Sequence, residues 1–242
     1  MLALIIDTSL QGLTLGLVKI DSQNKSHEIL EIYGSMHPQE AAARLPELCL
    51  GLLVKQSLRL ENLDTLLISH GPGSFTGIKI GLSFASGWKR AGTKLKVYGI
   101  SSFQALLKQI PDADALFLPA TQSAGYLTMK SQGSLSIGVL DLGQSSVASL
   151  HVAASDSLAP VDPKDLTKVN ILGSWPKMED WLSSQAIEWK TLESESLYRA
   201  VVTGMAEDFI ANSAQLSEGN LVPIYLRKSA PEEKLDALKA KG

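Results

Sequence analysis

Cysteine is nearly absent, with one residue, Cys49, in 242. That excludes an intrachain disulfide framework and fits a reducing compartment. Aromatic residues are sparse at 6%. Cationic excess is missing too: 22 Lys and Arg stand against 25 Asp and Glu, a formal net charge of −3. A global basic field that holds nucleic acid unaided is therefore excluded, and any RNA would need a partner to supply most of the positive charge. No run approaches the ~18 apolar residues that cross a bilayer. The opening MLALIIDTSL has neither a basic leader nor a small-residue cleavage site, and Asp7 interrupts it, so it does not read as a signal peptide. The expectation is a soluble, cytoplasmic chain with no membrane partner. None of His27, His37, His70 and His151 falls in an H-x-x-x-H pair or a Cys–His cluster, so no metal site is expected.

What is present is a 45% hydrophobic content, ample for one large domain or two small ones. Leu2 to Ile6 is a continuous apolar run of strand length, as in a strand buried on both faces. Leu13 to Ile20 and the segment ILEIYGSM read as further strands with short connections, an antiparallel meander. Pro38 to Leu58 has helical spacing through Ala41, Leu45, Leu48, Leu52 and Val54 or Lys55. Leu63 to Ser69 reads as a strand, Gly77 to Ala91 as a helix, LKVYGISS as a strand and Phe103 to Gln109 as a helix. The first part is thus β-β-β-α-β-α-β-α. After Ile110 a second unit begins, with a strand at Ala115 to Ala120, strands around a turn at Gln132-Gly133, and a buried strand at Val169 to Ser174. Helices follow at Trp175 to Trp181 and Leu197 to Ala211. LVPIYLRKS reads as extended because of Pro223. The tail APEEKLDALKAKG suits a short helix. The organisation expected is two α/β units, residues 1–108 and 109–228, with the tail 229–242 packing back on the first.

The segment SHGPGSFTGIKIG, Ser69 to Gly81, carries the densest signal. It is not a Walker A loop, because Gly71 and Gly77 are five residues apart and Ile78-Lys79 follow. It is not a nucleophile elbow, because Pro72 and Thr76 stand where glycines would flank Ser74. Two readings remain. Gly71, Gly73, Ser74 and Thr76 build a phosphate cradle at a helix start, or they form a tight strand-to-helix turn with a Ser74 or Thr76 cap. Asp7, Thr8 and Ser9 pose the same choice, between a first phosphate loop with Asp7 on hydrated magnesium and simple turn capping. In the helix that follows, Gly77, Ile78, Ile80, Gly81, Leu82, Phe84, Ala85 and Trp88 span an arc of roughly 200°, about twice an ordinary core face. Gly77, Gly81 and Ala85 form a small-residue stripe. The alternative is a helix sandwiched inside one larger domain, but both features favour a protein interface where another helix approaches closely. On that reading Gly81→Arg abolishes pairing while leaving the fold intact.

IIDTS, GPGSFTGIKIG with its helix, VYGISSFQAL and VPIYLR, in that order, resemble the TsaB (YeaZ) family of bacterial proteins needed to make N6-threonylcarbamoyladenosine (t6A) in tRNA. The resemblance implies an actin-like ATPase fold of two RNase H-like lobes with mixed sheets and flanking helices. It implies a non-catalytic subunit that pairs with the paralogue TsaD, joined by the ATPase TsaE, and meets tRNA indirectly through that complex. It places the partner surface on the helices near Pro38 to Gln56 and Gly77 to Ala91. The interface residues expected are Leu45, Leu48, Leu52, Gly77, Ile78, Gly81, Leu82, Ala85 and Trp88. Asp7, Thr8, Ser9, Gly71, Gly73, Ser74 and Thr76 then become a vestigial phosphate loop. No intrinsic cofactor is expected, while ATP or ADP at the complex interface stays open, as does a homodimer when the partner is absent. This chain departs from the family at EAAARLP, where HSE-x-L-P is usual, and at LPATQSAGYLT from Leu118, where IDARRGEVY is usual. The competing classes are an actin-like small-molecule kinase or ATPase that depends on Asp7, and a metalloprotease, which lacks ligands.

Overall fold

A computed structural model describes residues 1–10, 12–37, 39–91, 94–131, 134–141, 149–154, 157–160, 166–192 and 194–225. Strands β1 (Leu2–Asp7), β2 (Leu13–Asp21) and β3 (Ser26–Ser35) form an antiparallel meander. β4 (Thr65–Ser69) and β5 (Lys96–Ile100) join the other side of β1 in parallel. The spatial order is β3-β2-β1-β4-β5. β1 and β4 are central and covered on both faces, so their sequences are uniformly apolar rather than alternating. Leu4, Ile6, Leu66 and Ile68 enter one core, and Ala3, Ile5 and Leu67 the other.

Helices α1 (Glu40–Lys55) and α2 (Phe75–Arg90) cover the first of these faces. α1 begins at Glu40 and ends at Lys55, inside the expected span; Pro38 lies outside the described residues. α2 starts at Phe75 rather than Gly77 because Ser74 caps it, the Gly77 N–H donating to Ser74 Oγ at 3.1 Å.

The second sheet has seven strands: β6 (Ala115–Pro119), β7 (Ala124–Ser131), β8 (Ser134–Asp141), β9 (Ser149–Ala154), β10 (Ser157–Pro160), β11 (Lys168–Ile171) and β12 (Glu188–Thr191). Their order is β10-β9-β8-β7-β6-β11-β12. The block β8-β7-β6-β11-β12 repeats the first sheet, with two antiparallel links on one side of β6 and two parallel links on the other. Helix α4 (Pro176–Ser184) follows β11 as α2 follows β4. The turn expected at Gln132-Gly133 and the tail 229–242 lie outside the described residues. Among those residues no helix is long and apolar enough to cross a membrane.

Two helices exchange sheets. α3 (Ser102–Lys108) leaves β5 of the first sheet and packs on β6 and β7 of the second. α5 (Ser194–Asn212) leaves β12 of the second sheet and lies across β1 to β5 of the first. The result is one continuous core containing Ile5 and Val18 from one sheet, Leu116 and Leu118 from the other, Phe103 from α3 and Val202 from α5. Small residues set the distance. A Cβ at Gly34 would stand 2.0 Å from the Tyr198 ring, and one at Gly16 would stand 2.5 Å from Val202.

Overpacking such a contact costs about 1–3 kcal/mol. Gly34→Val is expected to lower the urea midpoint accordingly. In a Tyr198→Ala background the same substitution should cost clearly less, and additive losses in the double-mutant cycle would show that α5 does not set this distance.

Candidate partner face and the loop corner beneath it

The two glycine- and hydroxyl-rich loops meet at the carboxyl ends of β1 and β4. Asp7 is 2% exposed, and Ser9, Ser69 and Ser102 are fully buried around it. Asp7 Oδ1 accepts the Ser9 N–H at 2.8 Å, the Ser9 hydroxyl at 2.7 Å and the Ser102 hydroxyl at 3.2 Å. Ser69 Oγ lies 2.6 Å from Ser9 Oγ and 2.8 Å from Ser102 Oγ. Ser69 thus links the two hydroxyls that donate to the carboxyl. Burial pushes the Asp7 carboxyl above its ordinary value, and the bonds from Ser9, Ser102 and Ser69 oppose that rise.

The glycines serve this junction. Gly71 has φ +100°, which favours glycine. A Cβ at Gly73 would lie 2.0 Å from the Ser9 carbonyl oxygen, and one at Gly77 would lie 1.8 Å from the Thr8 carbonyl oxygen. The Ser74 N–H donates to the Ser9 carbonyl at 2.7 Å, and the Thr8 hydroxyl donates to the Gly77 carbonyl at 2.7 Å. A Cβ at Gly81 would meet Thr8 Oγ1 at 2.5 Å and Ile68 Cδ1 at 3.1 Å. The Gly77–Gly81–Ala85 stripe therefore lies against the chain's own first turn and sheet, not against another helix. The expectation that Gly81→Arg leaves the fold intact is corrected accordingly. Thr76 is exposed within α2, and the cap is Ser74 alone.

The expected interface residues divide in the same way. Leu45, Leu52, Ile78, Leu82 and Ala85 are buried in the core under α1 and α2, and Gly77 and Gly81 are buried beside them. These seven cannot present side chains to a partner while the chain is folded. The broad apolar arc of α2 is explained by burial against both the sheet and α1. What stays accessible is the margin. Leu48, Ile80, Phe84 and Trp88 are half-buried, with the Phe84 and Trp88 rings 4.5 Å apart. Leu50 and Val54, on the outer side of α1, are 47% and 72% exposed. The helical spacing offered Val54 as a possible member of the apolar stripe, and the structure leaves it exposed; Leu50 falls off that stripe. At the start of α1, in EAAARLP, Glu40 accepts the Tyr33 hydroxyl at 2.7 Å and pairs with Arg44 at 3.1 Å.

A strap formed by residues 217–225 crosses back from α5 to this corner, and the loop analysis missed it. The Gly219 N–H donates to the Val97 carbonyl at 2.8 Å, the Ile224 N–H to the His70 carbonyl at 2.8 Å, and His70 Nδ1–H to the Val222 carbonyl at 3.1 Å. Tyr225 packs on Phe75 at 4.8 Å, and Lys79 Nζ lies 3.9 Å over the Phe75 ring. VPIY, Val222 to Tyr225, and SHGPGSF, distant in sequence, are thus neighbours.

In the second sheet the equivalent corner is a hairpin stapled by Thr121, whose Oγ1 accepts the Ala124 N–H at 3.0 Å. Trp175 donates from Nε1 to the Gln122 carbonyl at 3.0 Å and fills the space above Gly125, where a Cβ would lie 2.4 Å from its ring. Among the described residues no three His, Cys, Asp or Glu side chains gather as a metal site.

Two mixed sheets of matching order, with flanking helices and exchanged α3 and α5, define an actin-like ATPase fold. That fold implies a nucleotide and its magnesium ion between the lobes. The first-lobe corner does not fit them, because Asp7 is sealed from solvent and the hollows at Gly73 and Gly77 hold the carbonyls of Ser9 and Thr8. Residues 19–121 match the family model for TsaD, tRNA N6-adenosine threonylcarbamoyltransferase. An uncharacterised protein of Mycobacterium tuberculosis is 30% identical over 103 residues, 43% of this chain and 46% of that protein. The Escherichia coli tRNA threonylcarbamoyladenosine biosynthesis protein TsaB is 27% identical over 103 residues, 43% of this chain and 41% of that protein. The aligned stretch spans less than half the length of these curated relatives. YeaZ from Pseudomonas aeruginosa shares the fold with a TM-score of 0.55 at 16% identity, over 93% of this chain and 99% of that one. A protein described as similar to the peptidase YeaZ from Pseudomonas aeruginosa does so with a TM-score of 0.58 at 18% identity, again over 93% and 99%. The chain is thus similar over part of its length to TsaB and to the TsaD family model, and it shares its fold with YeaZ.

Two outcomes follow from the corner. Gly81→Arg is expected to fail as a folded protein, or to melt far below wild type by calorimetry; a well-folded variant would mean that Thr8 moves aside cheaply. For His70, burial pushes the imidazole below its ordinary 6.5, and the Val222 bond partly offsets this. The folded chain then binds fewer protons than the unfolded one, so this contribution is intact above pH 6.5 and shrinks as pH falls through that value. Asp7, raised by burial, has the opposite sign. Urea midpoints from neutral to mildly acidic pH should therefore fall more steeply for wild type than for His70→Gln, and parallel curves would sink the assignment.

Proposed function

We propose that this chain is a non-catalytic subunit of the bacterial t6A machinery and that it pairs with a TsaD-type transferase. The observation that carries the reading is the accessible apolar margin of α1 and α2, above all Leu50 at 47% and Val54 at 72% exposure on a helix whose other side is core. The exposed aliphatic side chains of α1 and the half-buried Phe84–Trp88 pair of α2 offer apolar surface suited to association. The family resemblance supplies the partner's identity. In this reading residues 1–108 form the docking lobe and 109–228 the second lobe, with α5 lent back across that boundary. The same margin serves a homodimer when the partner is absent. A TsaE-like ATPase joins the assembly, tRNA is met chiefly through it, and ATP or ADP belongs to the interface rather than to the Asp7 corner. A cytoplasmic location follows from the tRNA substrate. The kinase or ATPase alternative gains nothing from a corner whose carboxylate is sealed.

The test has two parts. Purified TsaD-type partner, TsaE-type ATPase, tRNA and threonylcarbamoyl-adenylate source should form t6A only when this chain is added, and the chain alone should form none. Leu50→Asp with Val54→Asp should weaken pairing at least tenfold in a pull-down. Exposed substitutions of this kind usually change stability by no more than about 0.5 kcal/mol, so melting should barely move. Pairing retained by the double variant would move the interface elsewhere. Equal t6A without the chain would end the reading.

A further inference from the structure

Between Asp64 and Asp112 the chain carries no acidic residue but six basic ones: Lys79, Lys89, Arg90, Lys94, Lys96 and Lys108. The fold employs half of them. Lys79 sits over the Phe75 ring, Lys108 pairs with Asp208, and Lys89 pairs with Glu218 at 3.5 Å. The other three lie together where α2 ends and β5 begins. Arg90, Lys94 and Lys96 are exposed, and none joins the ion pairs found among the described residues. The carboxylates of that pole do little to neutralise them. Glu218 is taken by Lys89. Asp64 neighbours Lys96, whose N–H donates to the Asp64 carbonyl at 3.1 Å, but its Oδ2 is engaged by the Leu2 N–H at 2.7 Å. Glu61 is exposed on the short 3-10 turn Leu60–Asn62.

Within seven positions these three cations, without an ion pair among the described residues, repel one another, in a chain whose net charge is −3. A polyanion with closely spaced charges is the complement to such a corner. A lipid surface would also want apolar side chains to insert beside the charges. Here the neighbouring exposed residue is Ala91, and Leu95 is buried at 4%. We propose that Arg90, Lys94 and Lys96 contact the phosphate backbone of RNA, giving this subunit a direct hold on tRNA. The proposal rests on the tRNA-modification reading above and extends it, since that reading brings tRNA in chiefly through the assembly. The corner lies at the end of α2, next to Trp88 of the docking margin, so an RNA held there would run beside the partner. Phosphate contacts of this kind position the RNA without reading its sequence.

The experiment is a fluorescence anisotropy titration of labelled tRNA transcript with the assembled complex, from about 50 to about 200 mM salt. Arg90→Gln, Lys94→Gln and Lys96→Gln are combined in one variant. Lys168→Gln, Lys177→Gln and Lys190→Gln, on the second sheet and α4, form a control that loses the same charge. The corner variant is expected to bind tRNA at least tenfold more weakly at the low-salt end. Its plot of log affinity against log salt should flatten by about 0.7–0.9 for each lost phosphate contact. The control should stay within twofold of wild type. Equal losses in corner and control variants, or no loss in the corner variant, overturn the proposal while leaving the subunit's pairing role intact. Corner-dependent binding to vesicles rich in phosphatidylserine, with tRNA binding unchanged, overturns it in favour of a membrane. If the chain does not pair with the partner, the functional reading itself fails. The same titration on the chain alone at low salt then decides the corner: a selective loss upholds the RNA contact and no difference overturns it.

Discussion

Asp7 is a carboxylate sealed inside the protein with no cation in ion-pair range among the described residues, and the first lobe is arranged around keeping it there. A buried charge without partners costs several kcal/mol. Three hydrogen bonds to Oδ1, two from Ser9 and one from Ser102, oppose the rise that burial imposes on its pKa. Each serine of the cluster fixes a different element. Ser9 holds the β1–β2 turn, Ser102 holds the start of α3, and Ser69, bridging Ser9 and Ser102, ties in the end of β4. Once that turn is fixed, the carbonyls of Thr8 and Ser9 stand where side chains at residues 77 and 73 would go. Those positions accept only glycine, and the axis of α2 is set within ångströms.

The exchange of α3 and α5 ties this corner to the rest of the molecule. α3 begins at the Asp7 cluster and ends on the second sheet, while α5 returns from the second sheet to cover the first. Each sheet covers one face with its own helices and cannot bury the other alone. A two-lobed ATPase opens and closes around its ligand, but here the space between the sheets is filled by Phe103, Leu106, Val202 and Met205, all fully buried. The strap carries the exchange further by placing Val222, Ile224 and Tyr225 against His70, Gly71 and Phe75. Protein groups thus occupy both sides of the loop whose glycines invite a phosphate reading, and the hollows at Gly73 and Gly77 are filled by the chain itself.

The sequence made part of this legible. The uninterrupted apolar runs of β1 and β4, the meander, the positions of α1 and α2 and the Ser74 cap all follow from local pattern, because each depends on neighbours in the chain. The purpose of the glycines does not. Gly77 and Gly81 look like a stripe for a partner helix because i, i+4 spacing reveals only that one side of the helix is narrow. What lies against that side is Thr8, far off in sequence. The same limit misassigned Leu45, Leu52 and Ile78: helical periodicity separates apolar from polar, but it does not tell a core face from a docking face. The short strand β12, Glu188–Thr191, left no signal because only Trp189 in it enters a core. β9 and β10 lie at a sheet edge, where pairing rather than composition makes the strand.

These observations reverse the usual relation between a glycine-rich loop and function. In a nucleotide-binding corner, glycines leave room for a ligand, and the protein around them must stay open. Here the room is taken by the carbonyls of residues eight and nine, and the gain is positional. A helix anchored through its first two turns to a buried polar cluster, and flanked by α1, cannot rotate about its own axis. That rigidity is what a docking margin needs, because Ile80, Phe84 and Trp88 are ordered before any partner arrives, and less side-chain entropy is then lost on association. A loop of phosphate-binding type that has closed on its own chain is in this sense well suited to a scaffold, since the contacts that exclude a ligand are the same contacts that hold the helix still.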